Sequence, residues 1–260
     1  MTTQPHPHLH VHTEGPVRTI TLDNPDKRNA QTPSLWLALA EQARSVPDHV
    51  RVVVIRGAGP SFSAGINTAM FSPAGVPGEE SMPALIARGP QAIADRVGEW
   101  QQGFTGWATC PAVVIAQVHG HAIGAGFQLA LAADVRVVAY DATFAMRETS
   151  LGLVPDLGGT KPLVDLVGYS RALEICATGR FVSAEEAERL GLANVLAPQD
   201  ELDEATGTLI ESILAAPAAA SRALKPLLHA AVNSDLPDQT RLERETQAGL
   251  LTALFAGTSS

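Results

Sequence analysis

Apolar and polar positions alternate with a period of two over residues 9–13 and 17–23, with Glu14-Gly-Pro16 between them as a turn. The chain therefore opens on a β-hairpin. Asn24-Pro25-Asp26 breaks the alternation. From Thr32 to Ser45 the spacing becomes helical, with Thr32 as cap and Pro33 at the first helical position, where a missing N–H costs nothing. Two uninterrupted apolar strands follow, Arg51-Val-Val-Val-Ile-Arg56 and Pro111-Ala-Val-Val-Ile-Ala-Gln-Val118. Between them, residues 70–90 carry Pro, Gly, Ser and Glu without a period and are expected to form a mobile segment on the substrate side. Residues 90–108 place Ile93, Val97, Trp100, Phe104 and Trp107 near helical spacing, with both tryptophans expected in the core or an acyl pocket. Phe127–Ala133 reads as a buried helix, and Asp134–Ala139 and Thr143–Met146 as strands. Beyond about residue 160 the pattern is mostly helical. Ser183-Ala-Glu-Glu186 is a capping box opening a helix that ends near Gly191, and Ala- and Leu-rich helices from about 200 form a separate layer. The order strand, loop, helix, strand predicts an α/β fold.

At 260 residues, with 45% hydrophobic and 17% charged positions, the chain can bury a substantial core. No apolar run reaches the length of a membrane span, and the N-terminus lacks the pattern of a signal peptide. Cys110 and Cys176 sit in apolar surroundings, form no disulfide framework and suit a reducing cytoplasm. A net charge of −9 argues against nucleic acid as the main partner. Lys27, Arg28, Arg56, Lys161 and Lys225 remain available for a phosphorylated ligand. His6, His8, His10 and His12 alternate, but no acidic or cysteine partner is fixed beside them, so they read as a frayed N-terminus or an exposed strand face and no metal site is expected.

Each apolar strand runs directly into a loop of small residues, Gly57 to Asn67 and His119 to Gln128. Small residues let a ligand approach bare backbone, whose N–H groups then serve as donors. Two such donors from separate loops can converge on one developing oxyanion, usually the largest single catalytic contribution. Neither loop spells a P-loop or a dinucleotide fingerprint, and no G-x-S-x-G elbow occurs.

Taken in order, Leu22-Asp-Asn-Pro25, Arg28-Asn-Ala30, Phe62-Ser-Ala-Gly65, Gly120-His-Ala-Ile-Gly-Ala-Gly126, Ala133-Asp-Val-Arg136, Leu151-Gly-Leu-Val-Pro155, Gly158-Gly-Thr160 and Ala184-Glu-Glu-Ala187 resemble the enoyl-CoA hydratase/isomerase (crotonase) superfamily. The resemblance covers roughly residues 15 to 200. It implies a spiral of repeated β-β-α units over 1–198 holding an acyl-CoA site, then a C-terminal helical oligomerisation region over 199–260. It further implies a homotrimer or a dimer of trimers, and no cofactor beyond the coenzyme A of the substrate. The oxyanion donors fall on the backbone N–H of Ile66 and Ala125. Ala64, Gly65, Asn67 and Gly124 shape the substrate loops, and Lys27, Arg28 and Ala30 lie in the CoA-binding loop. The chain ends at Ala256-Gly-Thr-Ser-Ser260 and is expected to fall short of the family's final helix.

The two glutamates of the family's hydratases correspond to Gln128 and Glu148. A glutamine can orient a water but cannot take its proton. Glu148 is therefore the expected acid/base. Asp156 stands where some members carry a catalytic aspartate; its other reading is a helix cap within Pro155-Asp-Leu-Gly-Gly159. His119 and His121 flank the second donor loop as substrate-orienting or structural residues. These assignments favour double-bond isomerisation, with hydration of a 2-enoyl-CoA, Gln128 placing the water, as the alternative. A non-catalytic acyl-CoA-binding protein is the alternative of another class.

Overall fold

The computed structural model describes residues 1–256. Positions 257–260 of the expected C-terminal region lie outside the described residues. Strands β1 (Thr2–His6), β2 (Leu9–Glu14) and β3 (Val17–Leu22) form an antiparallel meander, followed by helix α1 (Pro33–Arg44). Next come β4 (Val52–Gly57), α2 (Met82–Ala87), α3 (Pro90–Thr109), β5 (Val113–Val118), β6 (His121–Ile123) and α4 (Ala125–Leu131). Then follow β7 (Val135–Ala139), β8 (Thr143–Ala145), α5 (Thr160–Val167), α6 (Tyr169–Thr178), β9 (Val182–Ser183), α7 (Ala184–Arg189) and β10 (Val195–Ala197). Helices α8 (Leu202–Ala215), α9 (Ala218–Ala231) and α10 (Leu236–Ala256) complete the chain.

A seven-stranded sheet runs β1-β2-β3-β4-β5-β7-β10, parallel from β3 onward, beside a small sheet β6-β8-β9. The units β5-β6-α4 and β7-β8-α5 each give one strand to each sheet. The earlier turns do the same in reduced form. Gln31 bridges to Ile66, and Ser63 bridges to Ala122, so single residues stand in for the short strand. This is the spiral of β-β-α units that the motifs imply.

Period-two alternation divides the core between two faces. Val53 and Ile55 of β4 face the main core with Leu35, Trp36, Phe104 and Trp107, whereas Val52 and Val54 face Leu202, Leu209 and Ile213 of α8. Trp36 meets the rings of Trp100 and Phe104 edge-on at centroid distances of 5.5 and 6.0 Å.

Two expectations are resolved by the structure. Of the two readings of the N-terminal histidine tract, the strand holds and the frayed end does not: β1 pairs with β2 through register partners Thr2–His12 and Thr3–Val11. Residues 70–90 contain helix α2 and are pinned: Glu79 accepts from the Ser34 N–H at 3.1 Å, and Glu80 pairs with Arg88 and Arg96 at 2.8 and 3.3 Å. The last described helix, α10, runs for 21 residues. Its mixed polar surface buries nothing within the chain, which is why no amphipathic stripe announces it. No helix among the described residues is long and apolar enough to cross a membrane.

Candidate active site

The two donor loops are stitched together by backbone bonds at the edge between the sheets. Phe62 and Ser63 N–H donate to His119 and His121 carbonyls at 2.8 and 2.7 Å, and Ile123 N–H returns to Ser63 O at 3.0 Å. On the other side Gln31 donates to Gly65 O and accepts from Asn67 N–H, both at 2.7 Å. Alternate peptide groups of an extended chain face opposite ways, so Ile66, between those two bonds, turns its own N–H away from Gln31. Ala125 is the first residue of α4, where an N–H has no intrahelical acceptor; Gln128 is the first to bond back, to Gly124 O at 2.9 Å. A Cβ on Gly65 would stand 3.4 Å from Ala125 N and 2.4 Å from Ile123 O, so the two loops touch through bare backbone. Gly65 holds φ +87° and Gly124 φ +52°, both turns that a side chain resists.

Beneath the first loop lies a buried polar network that the sequence reading missed. Asn29 donates to Ala58 and Ser61 carbonyls at 2.8 and 2.7 Å, and its Oδ1 accepts from Asn24 N–H at 2.8 Å. The Ser63 hydroxyl donates to Asn29 O at 2.8 Å and accepts from Gln31 Nε2 at 2.9 Å and Gly65 N–H at 3.2 Å. Trp36 Nε1 completes the chain by donating to Gln31 Oε1 at 2.7 Å. Polar residues embedded in a small-residue loop look like surface in sequence; only their burial to 1% exposure or less reveals the scaffold.

Glu148 begins the turn after β8 and lies against Gly124, whose Cα would direct a Cβ to within 3.4 Å of Oε1. Its Oε1 accepts from Gln128 Nε2 at 2.7 Å, while Oε2 is buried with no partner. Burial pushes this carboxyl above the usual carboxylate range, with a smaller push from Asp156; bonds from Gln128 and the local backbone pull the other way. Gln128 Oε1 accepts in turn from Leu157 N–H at 2.9 Å and Gly159 N–H at 3.2 Å. Three of the four hydrogen-bonding positions of this amide are thus held by protein. A single Nε2–H is left to meet the water that the hydration reading assigns to Gln128.

Asp156 is not a helix cap. Gly159 occupies that position before α5, without a side-chain bond. Its surroundings also raise the Asp156 carboxyl, by burial, although the residue keeps solvent access and the push is correspondingly weak. Lys27 and Arg28 are exposed on a loop that is tied to the first donor loop by Ala64 N–H to Arg28 O at 2.8 Å, and Ala30 N–H closes that loop onto Lys27 O at 3.0 Å. Asn67 Oδ1 accepts from Ala69 N–H at 3.1 Å, capping the following turn. His119 and His121 are tied to Gly59 O at 2.8 Å and the Ser61 hydroxyl at 3.1 Å. Trp100 and Trp107 are buried in the main core.

His10 and His12 lie on the outer face of β2, with His10 beside Asp23 at 2.9 Å. His6 is on β1 instead, against the Ser34 hydroxyl at 3.0 Å. A cavity of about 1470 Å³ lies behind Gln128 between the core and α8–α10, and Ile66, Ala125 and Glu148 do not line it. The Ile66 and Ala125 backbone therefore lies outside this cavity.

The enoyl-CoA hydratase/isomerase family profile matches residues 12–254. Carnitinyl-CoA dehydratase of Salmonella typhi is 36% identical over 232 residues, covering 88% of this chain and 82% of that protein. Among solved structures, a Thermobifida fusca YX protein described as an enoyl-CoA hydratase superposes with TM-score 0.91 at 45% identity, covering 96% of this chain and 95% of that one. The same protein in complex with acetoacetyl-CoA gives TM-score 0.90 at 45% identity, covering 95% of each chain.

Proposed function

The chain belongs to the enoyl-CoA hydratase/isomerase family, and from that premise we propose that it moves a double bond along an enoyl-CoA thioester. The Thermobifida fusca relative crystallised with CoA and with acetoacetyl-CoA supports an acyl-CoA substrate here. The thioester oxygen sits between the N–H groups of Ile66 and Ala125. These donors stabilise the negative charge that reaches that oxygen when the α-carbon loses a proton. Glu148 Oε2 removes the proton from C2 of a 3-enoyl thioester, giving a dienolate. The same carboxyl then returns a proton to C4, leaving the 2-enoyl product. Asp156 assists by exchanging protons with solvent at the mouth of the site. Lys27 and Arg28 meet the phosphates of coenzyme A.

The observation that carries this reading is the asymmetry of the carboxylates: Glu148 Oε2 is unpartnered and buried, and position 128 holds an amide. One base suffices for a 1,3-proton shift, whereas hydration calls on a second group to activate water. Hydration is the second reading. It is favoured by the names of the relatives, a carnitinyl-CoA dehydratase and described enoyl-CoA hydratases, and by the one free Nε2–H of Gln128. Mass spectrometry of products from 2-enoyl-, 3-enoyl- and dienoyl-CoA esters in deuterated water separates the two. Deuterium incorporation without a 3-hydroxyacyl product is expected; a dominant 3-hydroxyacyl product overturns isomerisation.

The proposal extends to assembly as a homotrimer or a dimer of trimers through the C-terminal helices. Its support is the unburied apolar surface of α9 and α10, including Leu224, Leu228, Leu251 and Leu254.

A further inference from the structure

The orientation of the Gln128 amide is forced by its neighbours. Leu157 and Gly159 both point N–H groups at one end of it, so that end must be the oxygen. Reversed, the amide would set two donors against its own NH₂. Gly159 can approach this closely only because it lacks a side chain: a Cβ there would fall 2.6 Å from Gln128 Cγ. The residue is 1% exposed, in a helix whose every side chain is buried, so it has no freedom to rotate away. The NH₂ end therefore faces Glu148 permanently, and donates to Oε1 at 2.7 Å.

We infer that Gln128 is a positioning residue, which occupies Glu148 Oε1 with a proton that never titrates and leaves Oε2 as the one oxygen that exchanges protons with the acyl chain. This deepens the isomerase reading and rests on it for the identity of the base. The amide takes the place of the shared proton that two carboxyls at this distance would need, since two carboxylates so close cannot both ionise. Glu148 thus stays available as a base while buried. The groups facing it are few. They are Gln128 from α4, Asp156 from the loop before α5, and the Cys176 thiol of α6, itself raised by burial and by Glu148. The neighbouring Arg147 guanidinium is turned to Gly179 O at 3.0 Å.

Two substitutions test this by different routes. Gln128→Glu keeps an acceptor for Leu157 and Gly159 but exchanges the donor facing Glu148 for a second carboxyl. Gln128→Met keeps the volume and removes every bond. The first readout is the pH profile of deuterium exchange into the acyl chain of a bound 3-enoyl-CoA. The second, independent of turnover, is the infrared carboxyl titration of Glu148, taken as a difference against Glu148→Gln. With the donor gone, both variants should move the acid limb of exchange and the Glu148 titration upward by about one pH unit or more. Gln128→Glu should move them further because the pair then holds one proton, and KM should change less than kcat. An unchanged Glu148 titration in Gln128→Glu overturns the inference and leaves Gln128 a packing residue. If Gln128→Met fails to fold, Gln128→Glu decides alone. If exchange instead survives Glu148→Gln at the wild-type rate, the isomerase reading fails, while the infrared titration still judges the contact.

Discussion

At the scale of single residues, Glu148 is placed where its chemistry and its stability oppose each other. Burial favours the neutral carboxyl, so its folded-state pKa lies above the unfolded one. A group shifted in that direction stabilises the fold below the unfolded pKa, and that contribution is lost as pH rises through the folded value. Glu148→Gln should therefore raise the Tm at pH 8, by about 2–4 °C, with the gain shrinking as the pH falls toward 4. The same substitution should lower α-proton exchange by about 10²- to 10⁴-fold, the usual worth of a general base. In the wild type the rate should fall on the acid side at a pH above that of an ordinary carboxylate, because the ionised form is the proposed base. Differential scanning calorimetry and exchange kinetics on one pair of proteins check both halves. A variant that is slower yet no more stable would show that the carboxylate is better solvated than its surroundings indicate.

The elements make that residue useful by bringing two loops into backbone contact. Gly65 is one of the tight points: its φ of +87° and the 2.4 Å approach to Ile123 O leave no place for a methyl group. Gly65→Ala should displace the Ile66 N–H and cost about 10²- to 10³-fold in kcat, while CoA itself, measured by calorimetry, still binds. Ser63→Ala removes the hydroxyl that joins Asn29, Gln31 and Gly65, and should destabilise the protein by about 1–3 kcal/mol in urea titrations. Much of this level was legible in the chain. The apolar runs of β4 and β5, the cap and proline opening α1, and the small-residue loops each follow from short-range rules. What escaped the sequence was long-range. Strand β1 is set by pairing with β2 and not by its own polar composition. Asp156 sits at the sequence position of a cap, but α5 starts four residues later, at Thr160, after the turn in which the Leu157 and Gly159 N–H groups bond Gln128. The Asn29–Ser63–Gln31 network joins residues more than 30 positions apart, and no local pattern marks it.

Across the whole molecule, one ammonium fastens the C-terminal helices to the core. Lys225 of α9 is 8% exposed and donates to Trp107 O at 2.9 Å and Ala112 O at 3.0 Å, and it pairs with Asp134 at 2.8 Å. Asp134 also accepts from Val114 N–H at 2.8 Å, so the ion pair ties α9 to the end of α3 and the start of β5. Lys225→Ala strands a partly buried carboxylate and two carbonyls. It should cost about 3–5 kcal/mol, and α9 and α10 should exchange amide hydrogens sooner than the sheet. Beyond this anchor the helices have little hold on their own chain. No residue of α10 is buried, and Leu251 and Leu254 are 46% and 66% exposed. The 1470 Å³ cavity beside them is walled by Leu131, Leu209, Ile213, Leu224 and Leu228. Apolar surface on this scale, left open in a single chain, is what a subunit interface covers. On the proposed trimeric assembly, native mass spectrometry should find three times the 27.2 kDa chain mass or a multiple of it. Paired substitutions Leu228→Glu and Leu251→Glu should release monomers that keep the fold of the sheet. A wild-type monomer at micromolar concentration would instead mean that α9 and α10 close over the core by themselves, with Lys225 as the fixed point of that closure.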